Sequence, residues 1–340
     1  MDLNERTALV ENNAEEIVTS EELKVLLETN EHPTAYVGFE PSGFVHIGFL
    51  VCANKIKDLI KAGFDVTILL ADWHAFINDK LGGSMENIRK CGKYMQDCFS
   101  SLDVNVKFVY ASDLIDKKDY WEKVIRIAKN SSLARIKRAM TIMGRKESDA
   151  ETDSSKLMYP SMQAADIFEL NADVALGGMD QRKAHMLARD ISEKLGWKKP
   201  IAVHTPLLGS LTGSERMESK MSKSSPESCV FIHDSEEDIK RKIKNAYCPM
   251  ETAGNPVIDI CKYIVFREHE SMTIERPGKY GGNLNLTYDE LLKVYSKELH
   301  PADLKNAVSR YLIEILKPVR EYFKKNPENL EIIKEFTITK

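Results

Sequence analysis

Val174-Ala175-Leu176-Gly177-Gly178-Met179-Asp180-Gln181-Arg182-Lys183 runs from apolar residues through two glycines into a polar, charged cluster. A short apolar run with this exit reads as a strand of a sheet covered on both faces, and an acid just past its end stands where open α/β sheets bind ligands. Outward from this segment the alternation recurs. Ala35-Tyr36-Val37-Gly38-Phe39 is rich in β-formers and precedes a helical spacing of Ile47, Leu50, Ile56, Leu59 and Ile60 that stops at Gly63. Val66 to Asp72 is a continuous apolar run ending in an acid. Helical stretches at about 86–101 and 119–144 alternate with apolar runs at 104–109 and 174–176. This order predicts an α/β fold with a parallel sheet.

A length of 340 residues favours two domains. Strand signals fade after residue 235, where Glu236–Tyr247, Leu291–Leu299 and Pro301–Phe323 carry helical spacing. The expected division is an α/β domain over 1–205, a linker over 206–235 and a mainly helical domain over 236–340. Hydrophobic and charged fractions of 43% and 29% fit a soluble globular chain, and no apolar run reaches the ~20 residues that span a bilayer. Met1 to Arg6 lacks a secretory pattern, so a cytoplasmic address is expected. Six scattered cysteines argue against structural zinc and fit reduced thiols. Thr19-Ser20-Glu21-Glu22 reads as a capping box before Leu23, Leu26 and Leu27, and Glu147 to Lys156 as a mobile polar loop. The net charge of −4 opposes binding of a polyanion, but two local basic clusters stand out, Arg135 to Arg138 and Lys240 to Lys244.

Two further segments carry chemistry in a fixed order around the first. In Pro41-Ser42-Gly43-Phe44-Val45-His46-Ile47-Gly48-Phe49, Gly43 and Gly48 allow close approach of a nucleotide, adenine can lie against Gly48, and His46 opens a helix whose dipole favours phosphate. In Lys220-Met221-Ser222-Lys223-Ser224, two ammonium groups flank small residues in a polar stretch. Asp180 is well placed for a ribose hydroxyl. Tyr159, Gln163 and Asp166 follow Pro160 at i, i+4 and i+7, which puts three polar groups on one helix face. Each feature alone has a plain reading: a surface histidine, a solvated Lys/Ser linker, an exposed helix face above buried Met162, Ile167 and Leu170. Their order together is what points to nucleotide chemistry.

These segments resemble the HIGH and KMSKS elements of class I aminoacyl-tRNA synthetases, and the GGxDQ segment narrows the resemblance to the tyrosyl family of archaeal and eukaryotic type, from about Ala35 to Phe323. The resemblance implies a Rossmann-like catalytic domain followed by a helical anticodon-binding domain, activation of tyrosine by ATP, and transfer to tRNA(Tyr). It assigns catalysis to His46, Lys220 and Lys223, and ATP binding to Gly38, Glu40, Gly43, His46, Gly48, Gly178, Asp180, Lys220, Met221, Ser222, Lys223 and Ser224. Phe49 replaces the second histidine of HIGH and receives no role. Tyr36 and Asp166 match the pair that binds the phenol hydroxyl, Tyr159 and Gln163 the groups at the α-amino end, Gln181 a further substrate contact, and Leu69 and His74 other pocket positions. Trp73 and Ile115 depart from the family's outer pocket. For tRNA, Tyr280, His300, Pro301 and Asp303 match anticodon-reading segments, while Arg138, Arg182 and Lys183 match positions near the first acceptor base pair. Magnesium is expected to accompany ATP without a protein metal ligand, and the chain to form a homodimer that binds neither DNA nor membrane. The rivals are a relative charging tryptophan or another aromatic amino acid, and a non-catalytic RNA-binding paralogue.

Overall fold

The computed structural model describes residues 1–144, 153–213, 221 and 226–336. Contacts divide the chain into two compact units, one formed by 1–43, 52–206 and 332–340, the other by 44–51 and 207–331.

The first unit holds a six-stranded sheet of β1 (Glu16–Val18), β2 (Thr34–Phe39), β3 (Asp65–Leu70), β4 (Lys107–Tyr110), β5 (Val174–Gly178) and β6 (Ile201–Thr205). Their order is β1-β6-β5-β2-β3-β4, all parallel except β1, which pairs antiparallel with β6. From β2 the chain builds outward through β3 and β4, then returns to lay β5 and β6 on the other side. The strand order therefore reverses between β2 and β5. Crossovers on opposite sides of such a pair leave a crevice at its carboxyl ends, here after Phe39 and Gly178.

Among the described residues the sheet is accompanied by the helices α1 (Leu3–Glu11), α2 (Ser20–Thr29), α3 (Gly48–Lys61), α4 (Asp72–Ile77), α5 (Met85–Ser101), α6 (Ala111–Ile115), α7 (Lys118–Lys129), α8 (Leu133–Ala139), α9 (Tyr159–Glu169) and α10 (Arg182–Leu195). The capping box before α2 forms as its sequence specifies, Thr19 accepting from the Glu22 amide while Glu22 accepts from that of Thr19. Tyr36, Leu69 and Ala175 on the sheet share one core with Tyr120, Val124 and Ile127 of α7, Met162 and Ile167 of α9, and Leu187 and Ile191 of α10. The N-terminal segment is tied down by buried Lys55, which donates to the carbonyls of Leu9, Val10 and Asn12, and by Arg6, which donates to those of Leu27 and Ala62.

Several local readings of the sequence need correction. The helix expected over 119–144 is broken, because Ser132 leaves the helical conformation to cap α8 and Met140–Met143 tightens into a 3₁₀ turn. The loop expected at Glu147–Lys156 lies outside the described residues up to 152, and its end is anchored: Lys156 is 3% exposed and pairs with Asp79 at 2.9 Å and Asp153 at 2.5 Å. In the second unit, strands do not vanish, since β7 (Met272–Ile274) and β8 (Leu284–Leu286) form an antiparallel hairpin.

That unit otherwise contains α11 (Glu236–Asn245), α12 (Pro256–Ile260), α13 (Phe266–Glu268), α14 (Tyr288–Tyr295), α15 (Pro301–Ile315) and α16 (Lys317–Lys325). The helix read over Pro301–Phe323 is split at Leu316, where Pro318 cannot continue a hydrogen-bonded turn. A last helix, α17 (Glu328–Lys334), buries Leu330 and Ile333.

Candidate active site

Tyr36 sits near the middle of β2 and is 2% exposed. Two residues on, a side chain at Gly38 would bring its Cβ to 2.7 Å from the Tyr36 hydroxyl, so glycine on the same strand face leaves room for the phenol. Burial, then the charge of Asp166, raises the Tyr36 hydroxyl well above its ordinary pKa and keeps it a donor. Leu69 lies opposite Gly38 on β3 and is fully buried. His74, on the short helix that begins at the end of that strand, is 1% exposed.

Across from these, α9 is buried over every residue from Tyr159 to Ile167, so the stripe of Tyr159, Gln163 and Asp166 is not a solvated face. The Tyr159 hydroxyl donates to Glu40 at 2.7 Å, and the Asn78 amide donates to the same carboxylate and to the Met143 carbonyl. Gln163 donates to the Gln181 side-chain oxygen at 3.0 Å, and Gln181 in turn to the Ile142 carbonyl. Asp166 accepts from the Tyr120 hydroxyl at 2.8 Å through Oδ1, while its Oδ2 lies 3.1 Å from His74 Nε2 without hydrogen-bond alignment. Burial alone would depress the His74 pKa, but the charges of Asp166, Glu40 and Asp72 outweigh it and raise the value.

Buried polar groups are normally paired, because an unpaired one forfeits its hydration without return. Asp166 Oδ2, Gln163 Oε1 and both ring nitrogens of His74 are buried and have no hydrogen-bond partner among the described residues. All three side chains belong to this one wall of the unit. Such a set suits a ligand that carries its own donors and acceptors.

Asp180 lies in the 3₁₀ turn Met179–Gln181, directly after Gly178 at the end of β5. Next to it, Arg182 makes a two-pronged ion pair with Glu16 of β1, and Glu16 also meets His204 of β6 at 2.9 Å. His204 stacks on His185 of α10 with a nitrogen–nitrogen distance of 3.0 Å. Burial, then its histidine neighbour, pushes His185 down to about 3, so this pair is neutral. Lys183 and Arg138 are exposed, and Arg138 lines a cavity of about 280 Å³ with Arg135 and Lys194. Sequence reasoning did not single out Tyr120, Asn78, Glu16, His185 or His204. His185 lies on α10 just past the Gly177–Lys183 segment, whereas the other four come from distant parts of the chain, and no local spacing marks them.

Within the second unit, backbone bonds from Ile47 to Val230 and from Ile232 to Val45 bridge the His46 segment to the stretch that follows residue 225. His46 Nδ1 accepts from the Gly48 amide at 3.1 Å, and a Cβ at Gly48 would lie 2.8 Å from the imidazole. The open side of Gly48 thus serves the histidine. Lys220, Ser222, Lys223 and Ser224 lie outside the described residues, whereas Met221 is 3% exposed and its amide donates to Leu208. The Lys240–Lys244 cluster is not a free basic face: Arg241 pairs with Glu227 and Asp238, and buried Lys242 pairs with Asp234 and stands over the Phe231 ring. Tyr280 is 60% exposed beside Lys279, while His300 caps α15 by accepting from the Ala302 amide, with Pro301 and Asp303 in the first turn.

The family model described as tRNA synthetases class I (W and Y) matches residues 28–317. A tyrosine–tRNA ligase from Picrophilus torridus is 55% identical over 320 residues, covering 92% of this chain and 97% of that one. The crystal structure of the tyrosyl-tRNA synthetase from Pyrococcus horikoshii, complexed with L-tyrosine, has a TM-score of 0.91 at 42% identity and covers 98% of this chain and 100% of that chain. A tryptophanyl-tRNA synthetase structure from Aeropyrum pernix, at 17% identity, a TM-score of 0.71 and coverage of 92% and 84%, shares the fold alone. The match takes in the crevice strands and both units, and the chain belongs to the class I tRNA synthetases of the tryptophanyl and tyrosyl group.

Proposed function

We infer that this chain activates tyrosine with ATP and transfers the tyrosyl group to tRNA(Tyr), the activity carried by relatives that match nearly its whole length. The tyrosine carboxylate attacks the α-phosphorus of ATP, pyrophosphate leaves, and a terminal ribose hydroxyl of the tRNA then displaces AMP. Neither step needs a protein nucleophile. The chain's part is to orient groups and neutralise phosphate charge.

The observation that supports tyrosine is Asp166 Oδ2, which has an unaligned contact with His74 but no hydrogen-bond partner among the described residues, together with a Tyr36 hydroxyl held protonated. A phenol both donates and accepts, so it satisfies the carboxylate and the Tyr36 donor together; an indole N–H only donates, and phenylalanine does neither. In this reading Tyr159, Gln163 and Gln181 hold the amino-acid end, Leu69 and His74 shape the pocket, and Asp180 takes the ribose. His46, Lys220 and Lys223 meet the phosphates, with Gly38, Glu40, Gly43, Gly48, Gly178, Met221, Ser222 and Ser224 around the nucleotide. Magnesium would accompany ATP and supply positive charge against the phosphates. Arg138, Arg182 and Lys183 meet the acceptor end, and Tyr280, His300, Pro301 and Asp303 the anticodon. A cytoplasmic homodimer completes the proposal; no helix among the described residues is long and apolar enough to cross a membrane.

Pyrophosphate exchange with each of the twenty amino acids tests the reading. Tyrosine alone should support rapid exchange, and Asp166→Asn should lower the tyrosine-over-phenylalanine ratio of kcat/KM by about 100-fold or more. Preference for tryptophan, or an unchanged ratio, contradicts it.

A further inference from the structure

Helix α7 lies along α9 with three contacts in register. Lys117 and Lys123 both reach Glu169, at 3.0 and 2.9 Å, and Tyr120 between them reaches Asp166 at 2.8 Å. Steps of three residues put these groups on facing sides of the two helices. The ion pairs lie toward solvent, with the Lys117 side chain 55% and the Lys123 side chain 28% exposed, whereas Tyr120 is fully buried. Its ring packs in the common core with Val124 and Ile127. A phenylalanine would fill that apolar volume equally well, so packing does not explain the hydroxyl.

The hydroxyl lies 2.8 Å from Asp166 Oδ1 and at the longer distance of 3.3 Å from the Met162 carbonyl, so its single proton goes first to the carboxylate. A buried carboxylate that is free to turn offers its oxygens indifferently to the groups around it. With Oδ1 engaged by Tyr120, Oδ2 is left facing His74 at 3.1 Å with no aligned partner among the described residues. We propose that Tyr120 is a positioning residue for amino-acid specificity, fixing Asp166 so that Oδ2 alone is presented to the substrate hydroxyl. This rests on the reading of Asp166 as the phenol acceptor.

The test is pyrophosphate exchange with tyrosine and with phenylalanine for Tyr120→Phe, Tyr120→His, Lys123→Ala and Asp166→Asn. In Tyr120→Phe the KM for tyrosine should rise about ten-fold, as for a lost hydrogen bond to a charged group, with kcat within about two-fold and phenylalanine kinetics unmoved. Tyr120→His, whose ring N–H can donate to Asp166, should recover part of the ratio. Lys123→Ala, which loosens the same helix contact without touching Asp166, should leave it intact. Equal losses for both amino acids in Tyr120→Phe, or an unchanged ratio, overturn the proposal. An unchanged ratio in Asp166→Asn sinks the phenol reading itself, whereas a fall there with no effect in Tyr120→Phe removes only the role of Tyr120. If Tyr120→Phe does not fold, Tyr120→Met replaces it with the same expected outcome.

Discussion

His74 is 1% exposed, yet three neighbouring carboxylates, Asp166, Glu40 and Asp72, overcome burial and raise its pKa. The folded value therefore lies above the ordinary one near 6.5, and the imidazolium contributes stability that is complete below about pH 6.5 and is lost as pH rises through the folded pKa. His74→Gln removes that contribution. The melting-temperature gap between wild type and His74→Gln should be widest near about pH 6 and narrow toward about pH 9. A gap that stays constant or widens with pH would contradict the charged imidazole. At this scale the sequence revealed residues whose spacing is local, such as the i, i+4, i+7 stripe on α9, but not the partners that give them their states. Tyr120 precedes Asp166 by 46 residues, and Asn78 follows Glu40 by 38. Such pairs meet only once the sheet is ordered.

The start of α3 shows how an element carries a side chain into place. The Gly48 amide donates to His46, and any Cβ at 48 would press on the imidazole at 2.8 Å, so the glycine and the histidine act as one unit. Gly48→Ala should therefore slow adenylate formation by displacing His46, and adding it to His46→Ala should cost little more. A double-mutant cycle on single-turnover rates reads this directly, and additive losses would show that Gly48 has a separate task such as seating adenine. Elements with strong periodicity were legible in the sequence. The runs that became β2, β3 and β5 are largely apolar because parallel strands are covered on both faces, and Met85–Ser101 kept a clear helical stripe. Three-residue β1 and the hairpin strands are too short to show a period, and β6 contains His204, whose partners are Glu16 and His185. The breaks at Ser132 and Pro318 were written in the sequence as a cap and a proline, and the apolar spacing on either side masked them.

At the scale of the whole molecule, the two steps of the reaction place different demands on a chain of net charge −4. Tyrosine activation occurs among small substrates, while transfer requires a polyanion to be held against a negative average. Charging should therefore weaken with salt much more steeply than pyrophosphate exchange does, because each phosphate contact releases bound counterions. The proposed role of Arg182 carries a condition: its guanidinium is already engaged by Glu16 in two prongs, so in that role an acceptor-end phosphate or base would compete with the carboxylate. Glu16→Gln keeps the shape, removes the competing charge, and should lower the KM for tRNA, whereas Arg182→Ala should raise it and narrow the difference in charging between transcripts with a C–G and a G–C first acceptor pair, the former being the one expected to be favoured. Tyr280→Ala and Asp303→Ala should also reduce charging while leaving exchange within about two-fold of wild type, at a cost of roughly 1–3 kcal/mol for a lost base contact. Charging measured on transcripts altered at the first acceptor pair or at the first anticodon base separates the two surfaces: Arg182 variants should lose sensitivity to the former change and Asp303 variants to the latter. Wild-type indifference to both changes would leave these side chains without the roles proposed for them, and the polyanion would then be held by shape and backbone charge alone.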